Sequence, residues 1–170
     1  MVIRRARPDD VPVLTSIVNA AAEAYRGVIP RDCWHEPYMP EDALRGEIAD
    51  GVEFWVTEAA GAPVGMMGLQ DRSDVALVRH AYVSPQMQRG GVGTSLLRHV
   101  EDLAAKPVLI GTWAAATWAI RFYERNGYTL VPEHDKTSLL RRYWSVPERQ
   151  IATSVVLGDP RWTQSREMAP

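Results

Sequence analysis

A glycine-rich segment near the middle of the chain has the residue types of a phosphate-binding loop. Residues 88–94 are Gln-Arg-Gly-Gly-Val-Gly-Thr, between an apolar strand-like run and residues with helical spacing. Glycine lets a backbone approach a ligand closely, and the free amides at a helix start attract an anion. The segment therefore predicts a site for a phosphate or pyrophosphate group. A tight strand-to-helix turn that binds nothing is the alternative interpretation.

Two common phosphate-binding motifs do not fit this segment. A Walker loop has a lysine between its last glycine and the following Ser or Thr, whereas Gly93 is followed directly by Thr94. A dinucleotide-binding fingerprint needs a third glycine three residues after the second, and Leu96 occupies that position. A different kind of phosphate loop is required.

The rest of the chain predicts the elements that hold this segment. Apolar runs predict strands over residues 1–6, 53–58, 64–69, 75–83, 107–113, 128–131 and 150–157. Helical spacing predicts helices over residues 8–25, 41–49, 92–105, 116–126 and 137–144. This order predicts an α/β (α+β) fold with a single mixed, mostly antiparallel central sheet and helices on both faces. We expect one domain over 1–158, followed by a loose C-terminal tail over 159–170.

Composition excludes several classes of protein. The chain has 170 residues, of which 46% are hydrophobic and 24% charged, as in folded globular proteins. Its one cysteine, Cys33, cannot form an internal disulfide, and a net charge of -2 provides no uniform basic field for nucleic acid. No apolar run approaches the roughly 20 residues that span a bilayer. We therefore expect a cytoplasmic protein without a nucleic-acid or membrane partner, and the four histidines show no metal-ligand spacing.

Residues 88–93 also match the pattern Gln/Arg-x-x-Gly-x-Gly/Ala, the pyrophosphate loop of the GNAT superfamily of acyl-CoA-dependent N-acyltransferases. The segment before the loop, His-Ala-Tyr-Val-Ser-Pro at 80–85, resembles the fourth strand of that family. Residues 119–128, Ala-Ile-Arg-Phe-Tyr-Glu-Arg-Asn-Gly-Tyr, resemble its Ala-x-x-x-Tyr-x-x-x-Gly-Phe segment. The chain thus resembles the family from the first predicted strand to Leu157.

The resemblance implies acetyl-CoA as co-substrate and assigns it a set of residues. The backbone of the strand end would pair with the pantetheine arm, and the amide of Val83 would polarise the thioester carbonyl. The amides from Arg89 to Thr94 would hold the pyrophosphate, and the Arg89 side chain would add positive charge. The implied cofactor-binding residues are Ala81, Tyr82, Val83, Gln88, Arg89, Gly90, Gly91, Val92, Gly93 and Thr94.

The resemblance also implies a proton donor, Tyr123, which matches the tyrosine that protonates the departing CoA thiolate in many relatives. A phenol has a pKa near 10 and a thiol near 8.5, so this transfer is chemically sensible. A packed core tyrosine is the alternative, and we expect Phe122 and Tyr128 to be core residues.

The general base is not given by the resemblance, because relatives place a carboxylate at positions that match Leu77 or Arg79. His80 has a suitable side chain, but strand alternation puts it on the opposite face from these two residues unless a bulge turns it. Glu53, Glu58 and a water relayed from the backbone are the other candidates. Relatives also carry Asn where this chain has Ala116, so one pantetheine contact must be absent or made elsewhere.

Acceptor recognition is expected from the first two helices and their connection. Tyr25, Trp34 and Tyr38 would give a cationic amine an aromatic lining, and we add Arg79 on the fourth strand to this set. Anchoring of a long loop by the aromatic residues is the alternative.

The function implied is transfer of the acetyl group of acetyl-CoA to a primary amine, by direct attack through a tetrahedral intermediate. No metal and no covalent enzyme intermediate are implied. A catalytically weak acyl-CoA-binding sensor or regulatory module is the alternative, and a plain interaction domain is a third interpretation. The acceptor stays open between a small amine, an aminoglycoside-like drug, an amino acid and a peptide amine. Pairing of two copies through the predicted strand 150–157 would form a homodimer.

Overall fold

The computed structural model describes residues 1–169, which form two compact units. The first unit contains residues 1–24, 35–71 and 77–105, and the second contains 25–34, 72–76 and the chain from 106 onward. The strands of both units belong to one seven-stranded sheet, which confirms the predicted α/β fold with a single mixed sheet.

The first unit holds four strands and three helices. They are β1 (Val2–Arg5), α1 (Val11–Ala22), α2 (Glu41–Ala49), β2 (Val52–Ala59), β3 (Ala62–Asp71), β4 (Ala76–Val83, in this unit from Leu77) and α3 (Val92–Leu103). The strands lie in the order β1-β2-β3-β4, and β1 and β3 both pair antiparallel with β2. The strands predicted over 53–58 and 64–69 are thus present, and they form a hairpin.

Helices cover both faces of this part of the sheet, as predicted. Phe54 of β2 packs in a core cluster with Leu14 of α1 and Leu44 of α2. Its neighbour Trp55 points to the other face, where its ring lies 4.5 Å from that of His99 in α3. Alternation along one strand therefore divides the unit into an α1/α2 side and an α3 side.

The second unit holds three strands and four helices. They are β5 (Val108–Trp113), α4 (Thr117–Arg125), β6 (Thr129–Leu130), α5 (Glu133–Tyr143), α6 (Glu148–Ala152), β7 (Ser154–Gly158) and α7 (Pro160–Glu167). The strands lie in the order β5-β7-β6, and both neighbours pair antiparallel with β7. The helix predicted at 137–144 is present and begins earlier, directly after Pro132.

Of two predictions for the C-terminal part, one is correct only over its second half and the other is wrong. The strand predicted over 150–157 is short helix α6 followed by β7, because a turn of helix begins after Pro147 and Thr153 Oγ1 ends it by donating to the carbonyl of Arg149. The loose tail predicted over 159–170 contains helix α7. Asp159 caps this helix by accepting a 2.9 Å hydrogen bond from the amide of Trp162. The division into a domain over 1–158 and a tail stays a prediction.

A search of the described residues for a helix long and apolar enough to cross a bilayer found none.

Candidate active site

The glycine-rich segment forms a loop between β4 and α3, as predicted. A single 3-10 turn, Pro85–Met87, follows the strand, and α3 begins at Val92. Arg89 (φ +65°) and Gly91 (φ +82°) both have left-handed backbone conformations. Two left-handed positions so close together are typical of a tight turn between a strand and a helix.

The start of α3 carries amides that its own helix does not use. Gly91 is the N-cap residue, and among residues 1–169 no side chain caps the helix. The first intrahelical bond runs from the amide of Ser95 to the carbonyl of Gly91, at 3.0 Å. The amides of Val92, Gly93 and Thr94 precede that bond, so they and the helix dipole are available to an anion.

The space around the loop glycines Gly90 and Gly91 is open enough for a ligand. A Cβ placed on Gly91 would meet no atom within 4 Å, and one on Gly90 would lie 3.5 Å from the carbonyl oxygen of Met87. The loop's own packing therefore does not crowd either glycine. Backbone conformation favours glycine at position 91, and the surrounding space is open to a ligand such as pyrophosphate.

The loop is tied to the strand that precedes it. Gln88 donates a 3.1 Å hydrogen bond from Nε2 to the carbonyl of Val83, and the amide of Ser84 donates at 2.8 Å to the carbonyl of Val64 in β3. The predicted binding residues of the strand, 81–83, are half-buried, whereas Gln88, Arg89 and Gly90 are exposed. The first unit thus brings together all ten residues predicted to bind acetyl-CoA.

The side chains of Arg79 and His80 on β4 do not follow simple alternation. His80 has φ +53°, a left-handed conformation within a strand, so it and Arg79 turn to the same side. A guanidinium nitrogen of Arg79 lies 3.0 Å from Glu47 Oε2, and His80 Nε2 lies 3.3 Å from the same oxygen. The local turn that our sequence argument required for His80 is therefore present.

Glu47 of α2 is the residue that the sequence analysis missed. It lies three residues after Leu44, whose side chain is fully buried, so the two residues share the inward face of the helix. This i, i+3 spacing from an apolar residue could have indicated from the sequence that Glu47 faces inward. The carboxylates that we did consider, Glu53 and Glu58, instead pair with arginines of β1 at 3.0 Å and 2.7 Å.

Tyr123 lies on α4 in the second unit and is buried. Its ring contacts those of Phe122 and Tyr128 edge-on, at centroid distances of 5.1 Å and 5.9 Å. Burial raises the pKa of the Tyr123 phenol above its ordinary value, and Tyr25 adds to the shift. The phenol therefore keeps its proton at neutral and moderately alkaline pH. Tyr128 is also buried, as predicted, whereas Phe122 is only partly buried.

The residues predicted for acceptor recognition fall into both units. In the second unit Tyr25 stacks on Trp118 at 5.8 Å, and the guanidinium of Arg26 lies 4.8 Å from the ring centre of Trp34. In the first unit Tyr38 packs against the α1/α2 core. Part of each aromatic surface thus contacts the protein itself, as the loop-anchoring alternative expects.

Two further positions raised by the sequence are buried. Leu77 and Ala116 have no solvent exposure. Among the residues that the structure describes, no group of three or more His, Cys, Asp or Glu side chains has the arrangement of a metal site.

Comparison with known proteins shows what this fold and loop resemble. Residues 50–130, which run from the end of α2 to β6, match the family model described as "Acetyltransferase (GNAT) domain". The matched segment includes β4, the glycine-rich loop and α4. This confirms the family resemblance carried by the loop and by residues 119–128.

Solved structures share the fold at low sequence identity. PaiA N-acetyltransferase from Thermoplasma acidophilum, in complex with coenzyme A, has a TM-score of 0.69 and 16% identity over 94% of this chain and 99% of that one. The ribosomal-protein-S18-alanine N-acetyltransferase of Escherichia coli has a TM-score of 0.66 and 18% identity, covering 94% and 93%. A GNAT acetyltransferase from Elizabethkingia anophelis with acetyl-CoA bound has a TM-score of 0.63 and 16% identity, covering 93% and 96%.

Proposed function

We propose that this protein transfers the acetyl group of acetyl-CoA to a primary amine by direct attack of the amine on the thioester. The observation that carries the proposal is the loop of residues 88–94, with left-handed conformations at Arg89 and Gly91 and an uncapped helix start behind them. Coenzyme A and acetyl-CoA in the solved structures of similar fold support this assignment.

The loop binds the pyrophosphate of the co-substrate in this proposal. The amides from Arg89 to Thr94 donate to phosphate oxygens, and the helix dipole and the Arg89 guanidinium add favourable charge. Gln88 holds the start of the loop against Val83, which fixes the loop relative to the end of β4.

The end of β4 binds the pantetheine arm. The backbone of Ala81, Tyr82 and Val83 pairs with it as with an additional strand, and the Val83 amide donates to the thioester oxygen. A fixed donor to a developing oxyanion is worth about 3–4 kcal/mol in transition-state stabilisation.

Tyr123 protonates the thiolate of CoA as it leaves. At neutral pH the buried phenol carries the proton that this step transfers. In the overall reaction a protonated amine and acetyl-CoA give the amide, CoA thiol and one proton. His80 accepts a proton from the amine, and Tyr25, Trp34, Tyr38 and Arg79 contribute to acceptor recognition.

An assay of CoA thiol release tests this function. Acetyl-CoA is offered with a simple alkylamine, an aminoglycoside, a free amino acid or a short peptide with a free N-terminus. At least one amine should release CoA, and Tyr123→Phe should lower kcat about 100-fold because it removes a general acid. Tyr128→Phe, the matched loss of a hydroxyl from another buried tyrosine, should leave kcat unchanged. Acetyl-CoA binding without release of thiol for any amine would support a sensor module instead.

A further inference from the structure

We infer that Glu47 and His80 form a dyad in which His80 accepts the proton of the acceptor amine and Glu47 positions its imidazole. This inference rests on the proposed function and adds one positioning residue, Glu47, and a defined tautomer. It assigns the base that the family motifs leave open, because neither Leu77 nor Arg79 can accept a proton.

The dyad exists because β4 departs from regular strand geometry. The left-handed conformation of His80 (φ +53°) turns its imidazole to the α1/α2 side, where its ring lies 6.0 Å from that of Phe54. Non-glycine residues adopt this conformation rarely, and such strain concentrates at functional sites. The result is that His80 Nε2 lies 3.3 Å from Glu47 Oε2.

The carboxylate of Glu47 is held in place by its other neighbours. Arg79 donates a 3.2 Å hydrogen bond from one terminal nitrogen to Glu47 Oε1, and its other terminal nitrogen lies 3.0 Å from Oε2 as an ion pair. Arg79 also donates at 3.3 Å to Oε1 of Gln70, and the Gln70 side chain donates at 2.9 Å to the carbonyl of Asp50. Gln70 is only 2% exposed, so this chain of contacts is anchored in the core.

Contact with Glu47 selects one tautomer of His80. A carboxylate only accepts hydrogen bonds, so the imidazole nitrogen that faces it must carry a proton. His80 Nε2 and Glu47 Oε2 lie within ion-pair distance, although within the described part of the chain their contact lacks the geometry of a hydrogen bond. We assign the proton to Nε2, because a proton there faces the carboxylate, and Nδ1 keeps the lone pair that takes a proton from the amine. The side chain of His80 is 17% exposed, which leaves it a path to a ligand.

The proton balance of the step is complete. His80 Nδ1 takes one proton from the ammonium group, and Glu47 stabilises the imidazolium that forms. The freed amine lone pair makes the N–C bond to the acetyl carbon, the C–S bond breaks, and its electron pair remains on sulfur. The phenol of Tyr123 gives its proton to the thiolate. The second proton lost by the nitrogen then reprotonates Tyr123, and His80 returns its proton to solvent.

Four variants separate a dyad from a structural role. His80→Asn removes the base while keeping a residue type that tolerates a left-handed conformation, and His80→Ala leaves space for added imidazole. Glu47→Gln and Glu47→Ala remove the charge and the whole carboxylate. His134→Ala and Glu41→Gln are matched controls, because His134 is 80% exposed and Glu41, on the same helix as Glu47, pairs with Arg45 on the surface. Thermal melts with acetyl-CoA check that each variant folds and binds.

Turnover with the amines named above gives the readout. The inference predicts that His80→Asn lowers kcat about 100-fold and Glu47→Gln roughly tenfold, with the acetyl-CoA KM and the two controls unchanged. Added imidazole should restore part of the activity of His80→Ala, and formate that of Glu47→Ala, which a purely structural role would not produce.

Two other results would overturn the inference. If the His80 and Glu47 variants keep wild-type turnover, or lose activity that imidazole and formate do not restore, the dyad is refuted. The proposed function is unaffected by either result. Wild-type protein that binds acetyl-CoA and acetylates none of the amines removes the proposed function and the dyad with it.

Discussion

The side-chain amide of Gln88 donates a 3.1 Å hydrogen bond to the carbonyl of Val83, so the first residue of the glycine loop is fastened to the last residue of β4. The loop and the strand end are the two parts to which we assign the pyrophosphate and the pantetheine. This hydrogen bond therefore fixes the spacing between the two binding segments.

Loss of this hydrogen bond should weaken binding of acetyl-CoA without affecting the chemical step. For Gln88→Ala we expect a loss of about 1 kcal/mol, equivalent to roughly a fivefold higher Kd for acetyl-CoA, and an unchanged kcat. Calorimetric titration measures the Kd. Gln164→Ala on α7 is the matched control, and an equal weakening in that variant would contradict the assigned role of Gln88.

Because β3 and β4 are in close contact at Gly68, we expect a single added methyl group there to lower the stability of the fold considerably. A Cβ on Gly68 would lie 2.8 Å from the carbonyl oxygen of Arg79 and 2.6 Å from a methyl carbon of Val52. Gly68→Ala should therefore lower the free energy of unfolding by about 2–3 kcal/mol, because backbone and core must shift. The expected fall in Tm is roughly 4–12 °C for a chain of this size.

Gly46→Ala is the control for that substitution. Gly46 is an exposed residue of α2, and a Cβ there would meet no atom within 4 Å. Alanine favours helix over glycine, so this variant should gain up to about 1 kcal/mol. Similar melting temperatures for the two variants would contradict the packing described for β3 and β4.

The ion pair of Arg4 and Asp10 predicts how stability changes in acid. The Arg4 guanidinium binds Asp10 at 2.7 Å and 3.0 Å and lowers the pKa of that carboxyl below its ordinary value, with a further contribution from the amide of Arg7. A pKa lower in the folded than in the unfolded state stabilises the fold above the unfolded value of about 3.9. That contribution is lost as the pH falls below about 4 towards the folded pKa.

Asp10→Asn should remove this acid dependence. The variant should lose about 2 kcal/mol at pH 7, as expected for a buried hydrogen bond to a charged group, and the difference from wild type should shrink towards pH 3. Urea unfolding at several pH values measures it. Asp9→Asn, an exposed neighbour in the same turn, should behave as wild type, and a pH-independent loss in Asp10→Asn would contradict the role of the charge.

Local signals explain what could be predicted from the sequence. The loop of residues 88–94 and helix α3 are set by nearby glycines and by apolar residues at helical spacing, so both were found. The strand predicted at 150–157 failed because a short alternating segment also fits one turn of helix, and Pro147 starts that turn. Helix α7 depends on the cap from Asp159 and on packing of Trp162 over Gly158, which composition alone does not show.

The base site depends on tertiary structure. Glu47 and His80 are 33 positions apart in the sequence and meet only because α2 packs over the sheet on β2 and because His80 adopts a left-handed conformation. Regular strand alternation predicts that the His80 side chain lies on the opposite face of the sheet from the one it occupies. The left-handed conformation also has no signal in the sequence, because the residue is not a glycine. Only the inward position of Glu47, one helical turn after Leu44, was visible beforehand.

Binding of acetyl-CoA to the loop is the most direct test of the account. Gly91→Trp places a bulky ring at the start of α3, and Gly61→Trp is its matched control, since both glycines have similar φ values (+82° and +79°) and no atom within 4 Å of a Cβ. The measurement is the thermal shift with acetyl-CoA, where a ligand at about 100 times its Kd adds roughly 2.7 kcal/mol. We predict a saturable shift for wild type and Gly61→Trp that is lost in Gly91→Trp. No shift for wild type at millimolar acetyl-CoA, or an undiminished shift in Gly91→Trp, would contradict the assignment of this loop.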